Sequence, residues 1–170
     1  MSNIDTERLF RLKKYIPFII FCVLTLLWVG FIFSNSAKTG EESGAASTAV
    51  VESVEGFLEK LGITPDVSEL FIRKLAHFLE YALLSLLCCA DILCFIKASK
   101  TNRRIEPFWL ISPTFCFLVA NIDEFCVQAS TAGRGPSFRD VCIDTSGALF
   151  TTLVFALVIF FISRRKEKRA

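Results

Sequence analysis

Four strongly apolar runs, at about 15–33, 75–96, 108–128 and 141–162, constrain this chain more than any other feature. A helix rising 1.5 Å per residue needs about 20 such residues to cross hydrocarbon, and each run supplies roughly that many. Apolar residues make up 53% of the 170 and fall in these blocks rather than along helix faces, which argues against a soluble core. The expectation is an all-α fold: a polytopic membrane protein of four transmembrane helices plus one amphipathic extracytoplasmic helix. The length suits one domain. Residues 15–162 would form the membrane unit, between a basic N-terminus at 1–14 and a basic tail at 163–170.

Charged clusters between the runs set the expected orientation. Arg8, Arg11, Lys13 and Lys14 precede the first run, while Lys97, Lys100, Arg103 and Arg104 follow the second. The end of the chain, from Arg164 to Arg169, is basic again, whereas residues 34–72 are net acidic. The positive-inside rule then puts both termini and the 97–104 loop in the cytoplasm, with 34–72 and 129–140 facing outward. A signal peptide is the rival reading of the start, with Ser34-Asn35-Ser36 as small residues at a cleavage site. The first run exceeds the usual ~7–15 residues of a signal core, which favours an uncleaved anchor.

Seven cysteines, an odd number without a CxxC pair, give no metal-ligand spacing and read as small hydrophobes. Cys126 and Cys142, near the outward ends of their helices, are the one conceivable disulfide. The net charge of +2 comes with no basic face interleaved with aromatics, so nucleic acid is not an expected partner.

Between the first two crossings, Ala46, Val50, Val54, Phe57 and Leu61 recur at helical spacing, with Glu52, Glu55 and Glu59 elsewhere around the turn. Such a helix is too polar to span and is expected on the membrane surface or as a cap on the bundle, its charges a solvated face without chemistry. Thr64-Pro65-Asp66 suits the opening of the next helix, with Asp66 and Glu69 in capping-box spacing. Pro107 should start the third crossing, and Pro113 should bend it near its beginning.

Ionisable residues cluster at one depth. His77 and Glu80 lie near the outward end of the second crossing, Asp123, Glu124 and Gln128 at that end of the third, and Asp140 and Asp144 at the start of the fourth. All fall within roughly 10 Å of the outer boundary at 1.5 Å per residue. Acids so placed are costly, and a membrane protein that keeps several usually has a use for them. Helical phasing puts Arg73, Lys74, His77, Glu80 and Tyr81 on one stripe. It likewise groups Asn121, Glu124 and Gln128, with Asp123 at the border, and aligns Asp140, Asp144, Gly147 and Thr151. Asp91 is the exception, near the cytoplasmic end, and is expected to pair with a basic neighbour.

Duller roles compete for the same residues. Ser137 and Asp140 have capping-box spacing, whose plain role is to start the fourth helix. Gly147 fits close helix packing. Arg134 or Arg139 could neutralise Asp140 or Asp144, and a lone His in a helix is more often structural than catalytic.

RKLAHFLEYALLSLL at 73–87 resembles the K-x-x-H-F-x-E-Y signature of the VanZ-like membrane proteins. DEFCVQASTAGRGPSFRDVCIDTSG at 123–147 is similar to their D-E-x-x-x-Q, G-R and D-x-x-x-(N/D)-x-x-G pattern. By position, the family's polar residues map to Lys74, His77, Glu80, Tyr81, Asp123, Glu124, Gln128, Arg134, Asp140 and Asp144. Asp144 stands where many relatives have Asn. The resemblance implies a multi-pass protein of the bacterial cell membrane, associated with resistance to the glycopeptide teicoplanin without remodelling of the peptidoglycan precursor's peptide end. It also implies kinship with integral-membrane enzymes that exchange or cleave lipid head groups.

An enzymatic reading follows: a lipid head-group hydrolase or transferase acting on a phospholipid or polyprenyl-linked precursor. His77 paired with Glu80 would be the base, and Asp123, Glu124 and Asp140 would complete the catalytic set. Arg134 with Lys74 or Arg139 would hold phosphate oxygens, with Tyr81, Gln128 and Asp144 on the binding wall. Asp123 and Glu124 would either supply a general acid or hold a divalent cation, the one cofactor the residues suggest. The non-catalytic rival sequesters a lipid-linked precursor or limits antibiotic access. A proton-linked transporter fits less well, because the inner halves of the helices are nearly free of charge. A structural bundle locked by paired charges is the plain alternative.

Overall fold

A computed structural model describes residues 13–63, 67–99 and 108–167. Arg8 and Arg11, the Thr64-Pro65-Asp66 opening, Lys100, Arg103, Arg104 and Pro107, and the last three residues lie outside them. Among the described residues five α-helices follow in order: α1 Ile16–Ser36, α2 Gly40–Lys60, α3 Glu69–Ser99, α4 Phe108–Ile122 and α5 Phe138–Glu167. Among the described residues there is no strand. A π-helical turn, Asp123–Val127, and a 3₁₀ turn, Gln128–Ser130, extend α4, so that Leu110–Ser130 runs as one rod. This rod and the helices containing Ile16–Ser36, Glu69–Ser99 and Phe138–Arg165 are long and apolar enough to cross a membrane.

Local chemistry sets the helix ends. Pro at the first turn of α1 costs no intrahelical bond. A reciprocal capping box opens α2: Thr39 Oγ1 accepts from the Glu42 backbone N–H, and the Glu42 carboxylate accepts from that of Thr39. Those bonds hold the Glu42 carboxyl below its ordinary pKa. At the other end Gly62, at φ +80°, lets its own N–H reach the Glu59 carbonyl and that of Ile63 reach Leu58. This is the glycine-capped ending in which two orphan carbonyls find donors.

Helix α3 is central, packing most heavily on α5 and also touching α1, α2 and α4. Tyr81, Leu84 and Cys88 from α3 meet Ile32 of α1, Cys116, Val119 and Ala120 of α4, and Val141 and Ala148 of α5. Gly147 is needed at this crossing: a Cβ there would lie 2.2 Å from the Phe78 carbonyl oxygen. Mid-bundle, Ser85 Oγ sits 3.0 Å from Ser112 Oγ and 2.9 Å from both Thr152 Oγ1 and the Ala148 carbonyl, joining three helices through neutral groups. Large side chains point the other way, with Leu26 69% and Phe161 60% exposed; an apolar outer surface is what a hydrocarbon solvent requires. Helix α2 is the amphipathic one and lies over one end of the bundle against α3.

Two sequence expectations are corrected here. Among the described residues Asp91 accepts the Thr25 hydroxyl at 2.7 Å and pairs with no base. The buried hydroxyl of α5 belongs to Thr152, with Thr151 only half-buried. All seven cysteines are free, Cys126 and Cys142 being exposed.

Candidate functional site

The end of α1, the start of α3, the π turn after α4 and the start of α5 meet at one end of the bundle. Polar contacts fasten them. Lys74 forms an ion pair with Asp140, tying α3 to α5. Ser36 Oγ, the last residue of α1, donates to Asp123 Oδ2 at 2.7 Å. Ser137, just before α5, donates its backbone N–H to Glu124 Oε2 at 2.9 Å. A carboxylate at a helix N-terminus both satisfies an orphan donor and meets the positive end of the helix dipole. The expected capping box is therefore half formed. Ser137 Oγ accepts from the Asp140 N–H at 3.4 Å, but Glu124, from another helix, takes the donor that Asp140 would have satisfied.

The π turn corrects the expected face of the third crossing. Its wider turn, closed by i→i+5 bonds, brings Asp123 and Glu124 inward together, both fully buried. The side-chain amide of Gln128 donates to Glu124 Oε1 at 2.7 Å and Asp123 Oδ2 at 3.1 Å, bridging the adjacent acids. Asn121 instead bonds back to the Phe117 carbonyl.

His77 is the second correction. Its Nδ1 faces Asp144 Oδ1 of α5 at 3.5 Å, while Glu80, the expected partner, accepts the Asn35 amide at 2.8 Å. That 3.5 Å separation is long for a hydrogen bond. Accordingly His77 Nδ1, both Asp144 oxygens, Asp123 Oδ1 and the Tyr81 hydroxyl are buried without a hydrogen-bond partner. Asp144, Glu80 and Asp123 all lie within electrostatic reach of the imidazole. Buried polar groups are normally satisfied, so such a concentration marks a site with unspent bonding capacity.

A cavity of about 220 Å³ opens beside this cluster. His77, Glu80 and Arg73 of α3 line one side, and Ser43 and Ser47 of α2 the other. Asn35, Ser36 and Lys38, with Arg134 from the α4–α5 loop, close it. Arg134 is fixed by two bonds, Nη1 to the Ser36 carbonyl at 2.7 Å and Nη2 to Ser43 Oγ at 2.8 Å. Burial and the nearby Arg73 both push its pKa down. Gly133, at φ +74°, makes the turn that delivers it, and Ala132 accepts the Gly40 N–H.

The remaining expected residues divide clearly. Lys74 is spent on Asp140, Tyr81 packs behind the cavity, and Arg139 is exposed with no polar contact among the described residues. Among the described residues no three of His, Cys, Asp and Glu are placed to hold a metal ion, so the divalent-cation alternative lacks a donor set. Asn35, Ser36, Ser43, Ser47 and Arg73 are wall residues that sequence reasoning gave no role. Ser43 and Ser47, one helical turn apart, were a legible signal. So was the polar Asn35-Ser36 pair ending an apolar run.

No curated protein and no solved structure matches the chain. The VanZ/LLP1 family model matches residues 21–161, a stretch that includes every wall of the cavity and all or most of each of the four apolar helices. The chain is a multi-pass membrane protein, and it belongs to the VanZ/LLP1 family.

Proposed function

We propose that the cavity binds a phosphate-linked lipid head group of the cell envelope and that His77 assists attack on it. The observation that carries this reading is the position of His77, with Asp144 at Nδ1 and the cavity beside it. A carboxylate facing Nδ1 electrostatically favours the tautomer protonated there and leaves Nε2 to take a proton. In the proposed step, a water or hydroxyl attacks phosphorus and gives its proton to Nε2. The bond from phosphorus to the leaving oxygen breaks, and that oxygen recovers the proton from the imidazolium. Arg134 and Arg73 are placed to hold the phosphate oxygens. The substrate is a phospholipid or a polyprenyl-linked precursor. From the distribution of Lys and Arg we also place the site at the outer leaflet, with both termini cytoplasmic.

A second reading, non-catalytic sequestration of a lipid-linked precursor, draws support from the acids. Asp123, Glu124 and Asp140 spend bonds on helix joints, which suits holding better than chemistry. Lipid mass profiles of cells carrying no protein, wild type or His77→Gln separate the two. Catalysis requires a head-group change that His77→Gln abolishes while the variant still accumulates in the membrane. An unchanged lipid profile beside raised teicoplanin tolerance would leave only sequestration. Alkaline phosphatase fused after Gly62 should be active, and fused after Arg165 inactive; the reverse would overturn the orientation.

A further inference from the structure

We infer that Arg73 is the primary anion ligand of the cavity and that the site prefers a lipid phosphate monoester to a phosphodiester. This deepens the head-group reading and rests on it. Among the described residues Arg73 has no hydrogen-bond or ion-pair partner, and its Nε is buried. Leaving a buried guanidinium N–H unpaired is costly, so the position makes sense where an acceptor arrives. Arg134 stands within electrostatic reach of Arg73. Two like charges on one wall repel, and an anion between them relieves that.

The balance of charge around the cavity points the same way. Arg73, Arg134 and Lys38 line it against a single carboxylate, Glu80, whose Oε1 is already covered by the Asn35 amide. Asp123 and Glu124 offset part of Arg134's charge from behind but line no part of the space. Three cations against one acid leave two positive charges in excess. A phosphate monoester carries about −1.5 to −2 near neutrality and offers three strong acceptor oxygens, whereas a diester carries one charge and two such oxygens. The planar fork of an Arg suits paired phosphate oxygens.

The lipid part of the ligand follows from the remaining wall. Ala46 and Val50 of α2 and Ile72 and Ala76 of α3 give the same cavity an apolar strip. At about 220 Å³ the space lies below the ~300–1,000 Å³ of pockets that take drug-sized ligands, so it suits a phosphate with a few carbons.

The test uses the full chain in a maltoside detergent, which contributes no phosphate. It is titrated with phosphatidic acid, phosphatidylglycerol of the same acyl chains and sodium phosphate, with native mass spectrometry and unfolding temperature as readouts. Phosphatidic acid should bind at least about tenfold tighter than phosphatidylglycerol, a difference of roughly 1.4 kcal/mol. Arg73→Gln should lose at least about tenfold for phosphatidic acid with a ligand-free unfolding temperature that is unchanged or higher, since no described residue pairs with Arg73. Arg73→Lys, which keeps the charge without the fork, should fall between, and Arg139→Gln should bind as wild type. Equal affinity for the diester would overturn the monoester preference, and wild-type binding by both Arg73 variants would overturn the role of Arg73. Sodium phosphate competing as well as phosphatidic acid would make the ligand a free anion. The first two failures leave the head-group reading standing; a free-anion outcome, or no saturable binding of either lipid, would remove that reading too.

Discussion

The middle of the bundle and its polar end both bury hydrophilic atoms, yet they handle them in opposite ways. Mid-bundle, Ser85, Ser112 and Thr152 satisfy one another and the Ala148 carbonyl with neutral hydroxyls. At the polar end, charged groups join the helices, and atoms of His77, Tyr81, Asp123, Asp144 and Arg73 are left without partners. Closed networks stabilise a fold, whereas open ones cost stability and are kept where a ligand completes them. The first region is architecture. The second is architecture with unpaired polar atoms, which is where binding belongs.

That contrast can be broken by substitution. The largest effect should come from Gly147→Ala, where the new Cβ would press on the Phe78 carbonyl and force α3 and α5 apart. A loss of about 3 kcal/mol is expected, at the upper end for overpacking, read as a steep fall in detergent-solubilised folded protein. Ser85→Ala should cost about 1 kcal/mol, typical for polar contacts between membrane helices, and leave lipid binding intact. Asp144→Asn should act in the opposite sense, leaving the unfolding temperature unchanged or higher while abolishing the His77-dependent lipid change. If Asp144→Asn instead destabilised the protein as much as Ser85→Ala, the two regions would not differ in kind.

The smallest expected effect is at Glu42. Its pKa is lowered by the Thr39 backbone donor, so the start of α2 is favoured above the ordinary carboxyl value of 4.5 and loosened as pH falls through the lowered one. Faster amide exchange over 40–44 in acid, absent from the pH response of Glu42→Gln, would show it. An identical pH response in both proteins would assign the loosening elsewhere.

The sequence showed the four helices because apolar run length is a one-dimensional property, and it showed the polar end because helix rise converts residue number into depth. Side-chain partners were harder to read. His77 was matched with Glu80 because i and i+3 are neighbours on one helix, but α5 packs close enough to offer Asp144 instead. Uniform α-phasing put Asn121 on the inner face and Asp123 at its border, because the pattern of residues carries no mark of the wide turn at Asp123–Val127. Arg73 shares the stripe of His77 and Glu80 but has no task legible in the sequence, since only tertiary structure reveals that no described residue pairs with it. The serines of α2 have no role in the sequence reading, which treats only that helix's charges as a solvated face; Arg134 and Arg73 across the cavity give them one.

The five residues Asp123–Val127 act as a phase shift in an otherwise regular rod. Below them the rod is indexed to Cys116, Val119 and Ala120 in the apolar interior; above them it is indexed to the amide and acids of the polar end. One continuous segment thereby obeys two incompatible rotational settings, each suited to its own neighbours. Deleting a single residue from this stretch would restore one helical period and force the rod to choose between anchoring the bundle and presenting its carboxylates.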